Sequence, residues 1–247
     1  MNAPTISRTE IITARSDLLN DSLLSGLERF VRQHYFIQDQ QAYQEQILGI
    51  GQEGDLALYY DCHGQLLGFT RFNRQRLYVN NRWATIYTGG TYHDKHCNLG
   101  NANAKFGLAH AVKQRLSNPS EDIFYFAHAY SPERYQFLCS LSDTVYPYPD
   151  ETVPETVLNL VEQVKTANNW LSNPNHPMVI TSPMPLIPLD DTKAMSNNTL
   201  TDYYYSVNPD YQNGDLLLVY LELELSTISD SIKRMVCQQP THNQDRQ

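Results

Sequence analysis

TYHDKHCNLGNANAKFGLAHAVKQRL, residues Thr91 to Leu116, joins the end of a strand to a helix through a polar turn. Just before it, WATIYT (Trp83 to Thr88) favours β-structure, and Gly89-Gly90 interrupts the run as a bulge or a close backbone approach would. His93 to Asn98 contains no large apolar residue. From Ala102 onward, Phe106, Ala109, Val112 and Leu116 recur at helical spacing. Asn98 and Asn101 are both candidate N-caps, and Gly100 lets the backbone turn sharply between them. N–H groups at a helix start have no intrahelical acceptor, so such a turn is an anion site, most often for phosphate. The same residues also suit an ordinary strand-to-helix turn with an Asn cap.

Outward from this stretch the elements alternate in a definite order. Upstream come a short strand at Thr9–Ala14 and a helix capped by Asp17 or Asn20, with Leu19, Leu23, Leu27, Phe30 and Val31 on one face. A second, more polar helix follows over Asp39–Leu48, ending at Gly49 and Gly51. Asp55–Asp61 and Leu66–Phe72 form a hairpin around Cys62-His63-Gly64-Gln65. A turn at Tyr78–Arg82 leads into the Trp83 strand. Downstream, Ile123–Ala127 is an apolar run suited to a strand buried on both faces. Ser131-Pro132-Glu133 then opens a helix through Tyr135, Leu138 and Leu141. Thr144–Tyr148 is a short strand candidate.

The remainder is less regular. Val153–Leu171 has helical periodicity, and Asn173–Met195 is Pro-rich, with one short strand at Met178–Thr181. Asp202–Val207 (DYYYSV) and Leu216–Leu225 (LLLVYLELEL) are expected to pair as a hairpin, turning at Asn213-Gly214. Thr227–Val236 is expected to be a last helix, and residues 238–247 a disordered polar tail. The expectation is one domain over residues 1–237. Its core spans 9–148, its closing hairpin 202–225 and its insertion 151–200. Leu216–Leu225 should lie inside the same sheet as Ile123–Ala127.

Composition narrows the functional classes. The chain has 247 residues and a formal charge of −9, from which neither nucleic acid nor an anionic membrane is expected as a partner. It has no apolar run of membrane-spanning length and no apolar core near Met1, so a cytoplasmic location is expected. The four cysteines are scattered without a C-x-x-C pair and read as free thiols in a reducing compartment. The 17 tyrosines suit half-buried sheet positions and pocket walls alike.

Cys97-Asn98-Leu99-Gly100-Asn101-Ala102 resembles the Q/R-x-x-G-x-G/A turn of the GNAT N-acetyltransferase superfamily. Gly100 and Ala102 match, and Cys97 stands at the Gln/Arg position. The order β, α, α, three antiparallel β, α, β, α over Thr9–Tyr148 is also that of the GNAT core. The resemblance implies an α/β fold with a mixed, mostly antiparallel central sheet flanked by helices. It implies acyl transfer, most often N-acetyl transfer, from acetyl-CoA or another acyl-CoA to an amine on a small molecule or peptide. It also implies that the pyrophosphate lies on Lys95, His96, Cys97, Asn98, Leu99, Gly100, Asn101 and Ala102. Backbone groups of Thr91, Tyr92 and His93 would face the thioester. The family often places a Tyr acid on the following helix. Here Leu138 occupies that place, and Tyr135, one turn earlier, would reach the thiol instead unless it is a packing residue. His128 and His93 are candidate bases near neutral pH; with His96 they lack metal-site spacing. A homodimer fits this frame. The departures at Cys97 and Leu138 favour the alternative, a non-catalytic acyl-CoA-sensing or protein-binding module.

Overall fold

The computed structural model describes residues 4–13, 20–49, 52–79, 81–94, 96–97, 99, 102–142, 144–181, 186–188 and 198–222. After strand β1 (Arg8–Thr13), helix α1 (Asp21–His34) starts where Asn20 accepts the Leu23 N–H at 2.9 Å. Its apolar face buries Leu27, Phe30 and Val31. The chain leaves α1 directly into strand β2 (Tyr35–Ile37). The expected second helix is shorter and wider: one α turn, α2 (Gln40–Ala42), continues as a π turn over Tyr43–Ile47. Gly49, at φ 63°, ends it.

The hairpin is β3 (Gly54–Tyr60) and β4 (Leu66–Val79), with Asp61 accepting the His63 and Gln65 N–H groups at 2.8 Å. β4 runs past the expected end at Phe72. Its polar continuation is held by partners that no local pattern displays: Arg74 on Glu53, Gln75 on Asn168, and Arg76 on Glu121 at 2.8 Å. Asn81, at φ 65°, then turns the chain into β5 (Arg82–His93). α3 (Ala102–Ser117), β6 (Asp122–Ala129) and α4 (Pro132–Cys139) follow as expected. Ser131 caps α4 by accepting the Arg134 N–H. Beyond them lie β7 (Val145–Tyr146), α5 (Glu155–Ala167), β8 (Val179–Ile180), β9 (Leu186–Pro188), α6 (Thr199–Val207) and β10 (Leu216–Glu222).

The main sheet runs β1-β3-β4-β5-β6-β10-β7, and β8 also pairs with β10. Among the described residues every pairing in this sheet is antiparallel except β5 with β6. β10 therefore lies inside the sheet that contains β6, as expected. The closing hairpin is not formed, because Asp202–Val207 is the body of α6 and not a strand. Its three tyrosines favour β-structure by propensity. Asn198, however, caps a helix by accepting the Leu200 N–H at 2.9 Å, and Thr201 and Tyr204 recur on its buried face. Packing overrides propensity here. β9 pairs with β2, tying part of the Pro-rich insertion to the end of α1. Leu223–Leu225, the expected helix at Thr227–Val236 and the tail lie outside the described residues.

Gly89 is a close approach and not a bulge, since the β4–β5 register is continuous through it. It sits at φ 155°, and a Cβ there would come within 1.9 Å of the Arg71 carbonyl oxygen. Gly89→Ala should therefore cost about 3 kcal/mol or more of stability from strain and clash together. Gly26, in α1 with nothing within 4 Å, provides the contrast. Gly26→Ala should stabilise by about 0.5–1 kcal/mol. Urea unfolding of both variants measures the difference.

Candidate functional site

β5 and β6 pair from Ala84↔Asp122 to Gly89↔Ala127 and no further. Beyond that point β5 stays on β4 as far as Gly68↔His93, while β6 stays on β10 as far as Leu217↔Ala129. Two neighbouring parallel strands, each held by its other partner, thus part at their C-terminal ends. The slot between them has a β5 wall at Gly90–His93 and a β6 wall at His128–Tyr130. α3 begins nine residues beyond the β5 wall.

Two phenols meet the backbone of the β5 wall. Tyr35, leaving α1, accepts the His93 N–H at 3.1 Å and lies 3.3 Å from the His93 carbonyl oxygen, to which it can donate. Tyr130, the first residue after β6, reaches back to the Thr91 carbonyl at 3.5 Å. The Tyr130 phenol lies near enough to act electrostatically on that of Tyr35. Burial first, and Tyr130 second, raise the Tyr35 pKa well above its ordinary value, so this phenol stays neutral. Tyr35 is locked by an edge contact with Tyr92, centroids 5.9 Å apart, whereas Tyr130 is half-buried. Sequence reasoning missed both residues. The available signal was their placement, one at a helix end and one at a strand end.

The β5-wall residues expected at the site are brought together there. Thr91 turns its side chain into a buried chain of hydroxyls, Tyr59 to Thr70 at 2.8 Å and Thr70 to Thr91 at 3.0 Å, leaving its backbone toward the slot. Tyr92 packs into the core against Phe69 and Tyr35. His93 is half-buried, and its Nδ1 lies 2.8 Å from the Asp94 carbonyl. A carbonyl only accepts, so Nδ1 carries the proton and Nε2 is the basic nitrogen. Burial lowers its pKa, which keeps the ring neutral.

The turn after β5 folds back on Asp94. The Asp94 carboxylate accepts the His96 N–H at 2.8 Å, its carbonyl accepts the Cys97 N–H at 2.9 Å, and Leu99 accepts the Ala102 N–H at 3.1 Å. His96 is exposed, Leu99 half-buried, and Cys97 buried with its thiol pKa raised by burial. Three N–H groups expected to face an anion are thus already bonded within the turn. Lys95, Asn98, Gly100 and Asn101 lie outside the described residues.

The two expected catalytic side chains are placed differently. Tyr135 is fully buried and donates to the Pro147 carbonyl at 2.8 Å, between Tyr203 and Tyr204. Burial pushes its pKa far up, so it packs α4 against α6 and has no open path to a leaving thiolate. His128 is buried against Trp170, with no partner for Nε2 among the described residues. Burial, then the nearby Arg134 cation, lowers its pKa to about 4. At that pKa it is a poor base for an ammonium at neutral pH. His93, His96 and His128 share no hydrogen bond among those the structure shows. Arg134, on α4, acts electrostatically on both His93 and His128, which places a cation near both slot walls.

The element order and the mixed, mostly antiparallel sheet match what the resemblance implied. The fold is GNAT-like. No protein-family model matches the chain, and neither does any curated protein. Among solved structures, it is similar to a chain of the KacTA–DNA complex (14% identity, 65% of this chain and 99% of that one, TM-score 0.35). It is also similar to a Tyr-to-Phe mutant of the toxin AtaT bound to the C-terminus of the antitoxin AtaR and acetyl-CoA (13%, 55% and 83%, 0.32). A third is AtaT complexed with acetyl-methionyl-tRNAfMet (14%, 63% and 99%, 0.33). At such identities and TM-scores these likenesses add no detail to the GNAT-like site. They do correct one expectation. Two of the three are nucleic-acid complexes, so nucleic acid is not excluded by the charge of −9. A net charge is a sum over the chain and does not map its local surface.

Two outcomes follow from the buried pair. Tyr135→Phe should leave any turnover unchanged while destabilising the fold by about 1–2 kcal/mol, since the Pro147 carbonyl loses its donor. For His128, the folded pKa of about 4 lies below the ordinary 6.5. Its contribution to stability is therefore full above pH 6.5 and is lost as pH falls toward 4, by on the order of 3 kcal/mol. His128→Phe should remove that share of the acid slope, as read from unfolding curves between pH 4 and 7.

Proposed function

We propose that the protein transfers an acyl group, acetyl in the first instance, from a CoA thioester to an amine. The observation that carries this is the slot where β5 and β6 part, followed by the turn into α3. A narrow gap between strand ends suits a long, thin pantetheine arm. The start of a 16-residue helix suits its pyrophosphate. Acetyl-CoA is the ligand of the AtaT mutant named above, and the co-substrate proposed here. In the sequence, Lys95 brings a positive charge next to this turn, and a glycine at position 100 leaves room for backbone approach. Because Asp94 already holds the His96 and Cys97 N–H groups, phosphate must draw on other donors of the turn or displace the Asp94 carboxylate.

The chemistry asks little of side chains. The acceptor ammonium must lose a proton, and the neutral His93, basic at Nε2 and next to the slot, is the best-placed base. The acceptor is left open between small amines, peptides and an aminoacyl group carried on RNA. The sensing-module reading predicts binding without transfer.

Calorimetry separates these readings. Wild-type protein should bind acetyl-CoA, and comparison with longer acyl-CoAs and free CoA should set the acyl length. Incubation with candidate amines, aminoacyl-tRNA included, should then yield acylated product. Gly100→Glu should weaken binding by at least roughly a hundredfold, through lost backbone approach and charge repulsion. Folded wild-type protein that binds no CoA thioester would end the proposal.

A further inference from the structure

Within the slot, the backbone donor nearest the His93 end of the β5 wall is already engaged. The His93 N–H points at the Tyr35 hydroxyl oxygen at 3.1 Å. Tyr35 has one proton, for which the His93 carbonyl at 3.3 Å is the acceptor. A hydroxyl that accepts a hydrogen bond becomes a stronger donor in turn. Its accepting bond, at 3.1 Å, is shorter than the 3.3 Å separation to the carbonyl. The phenol is also fixed in place: Tyr35 is 5% exposed, edge-on to Tyr92, and its neighbours Phe36 and Ile37 pair with β9. Tyr130 is the opposite case. It is half-buried and crosses the slot to the Thr91 carbonyl at 3.5 Å, a distance at the outer limit of a hydrogen bond.

We propose that Tyr35 relays the His93 N–H into the slot, and that its hydroxyl, not the backbone amide, polarises the carbonyl of a bound CoA thioester. This rests on the acyltransferase reading above. On entry of the thioester, Tyr130 yields its place and the Tyr35 O–H turns from the His93 carbonyl to the acyl oxygen. The His93 N–H stays on the Tyr35 oxygen throughout. No covalent bond changes at Tyr35. Its task is to hold a donor where negative charge develops on the acyl oxygen as the amine attacks. The arrangement also makes α1 part of the site, because Tyr35 is the residue on which α1 ends.

The test is the infrared carbonyl stretch of acetyl-CoA labelled with carbon-13 at the thioester carbon, bound to wild type, Tyr35→Phe and Tyr130→Phe. Phe preserves the Tyr35 ring packing, and the Tyr130 variant keeps the proposed donor. Wild type and Tyr130→Phe should shift the stretch to lower frequency than in free acetyl-CoA, and Tyr35→Phe should lose most of that shift. Calorimetry should show Tyr35→Phe weakening acetyl-CoA roughly tenfold with free CoA unchanged, since free CoA has no acyl oxygen. An equal shift in wild type and Tyr35→Phe would overturn the relay. So would tighter acetyl-CoA binding by Tyr35→Phe, which would make the phenol a plug. Absence of acetyl-CoA binding in wild type would instead remove the acyltransferase reading, and the relay with it.

Discussion

The twelve-pair antiparallel register between β4 and β5 is the constraint on which the site depends. It fixes β5 along its whole length, so β5 cannot follow β6 when β6 turns with β10. The parallel pair holds for six residues and then must part. The register is close enough at one point to demand a residue without a Cβ, and Gly89 stands there, opposite Phe72 and against the Arg71 carbonyl. The last residue of β5 that pairs with β6 is thus also its tightest point. The slot opens from a fixed hinge line and not from a flexible one.

A second constraint sits on the neighbouring strand. Arg71 is fully buried and donates to the carbonyls of Asp55, Phe72, Gly49 and Gln52. Its guanidinium fastens the chain between the π turn and β3 to the centre of the sheet. Burial lowers its pKa to about 10, still well above neutral, so the fastening cation persists at working pH. Gly49 is required for this contact, because a Cβ there would meet the Arg71 guanidinium at 2.2 Å. Packing on the α1 side of the sheet and the position of Tyr35 are in this way coupled to β4.

Much of the core order was legible because its signals are local. Asn20 capping α1, the turn at Cys62–Gln65 and Ser131-Pro132 opening α4 each act within a few residues of the element they start. The polar half of β4 was not legible, since Arg74, Gln75 and Arg76 are held by Glu53, Asn168 and Glu121 from elsewhere in the chain. DYYYSV misled because tyrosine in a helix looks like tyrosine in a strand until its packing is known. The phosphate turn was readable as a pattern, but Asp94 folding back onto His96 and Cys97 was not. The phenol bridge was least legible of all: Tyr35 and Tyr130 are far apart in sequence, and only the parted sheet brings their hydroxyls together.

Where strands part, backbone groups lose partners, and this chain supplies them with phenols. Tyr130 reaches the carbonyl of Thr91, Tyr204 that of Ala129 and Tyr135 that of Pro147, while Tyr35 pairs with the backbone of His93. Tyr and Phe are commonly interchangeable in evolution because they differ by a single oxygen. At Tyr35, Tyr130 and Tyr204 that atom meets the end of a parted strand, and at Tyr135 it holds the carbonyl that follows β7. Sequence drift here should be asymmetric, with rings free to change their neighbours but not to give up the hydroxyl. A lineage that loses one of them would have to close the sheet or find another donor for the orphaned strand end.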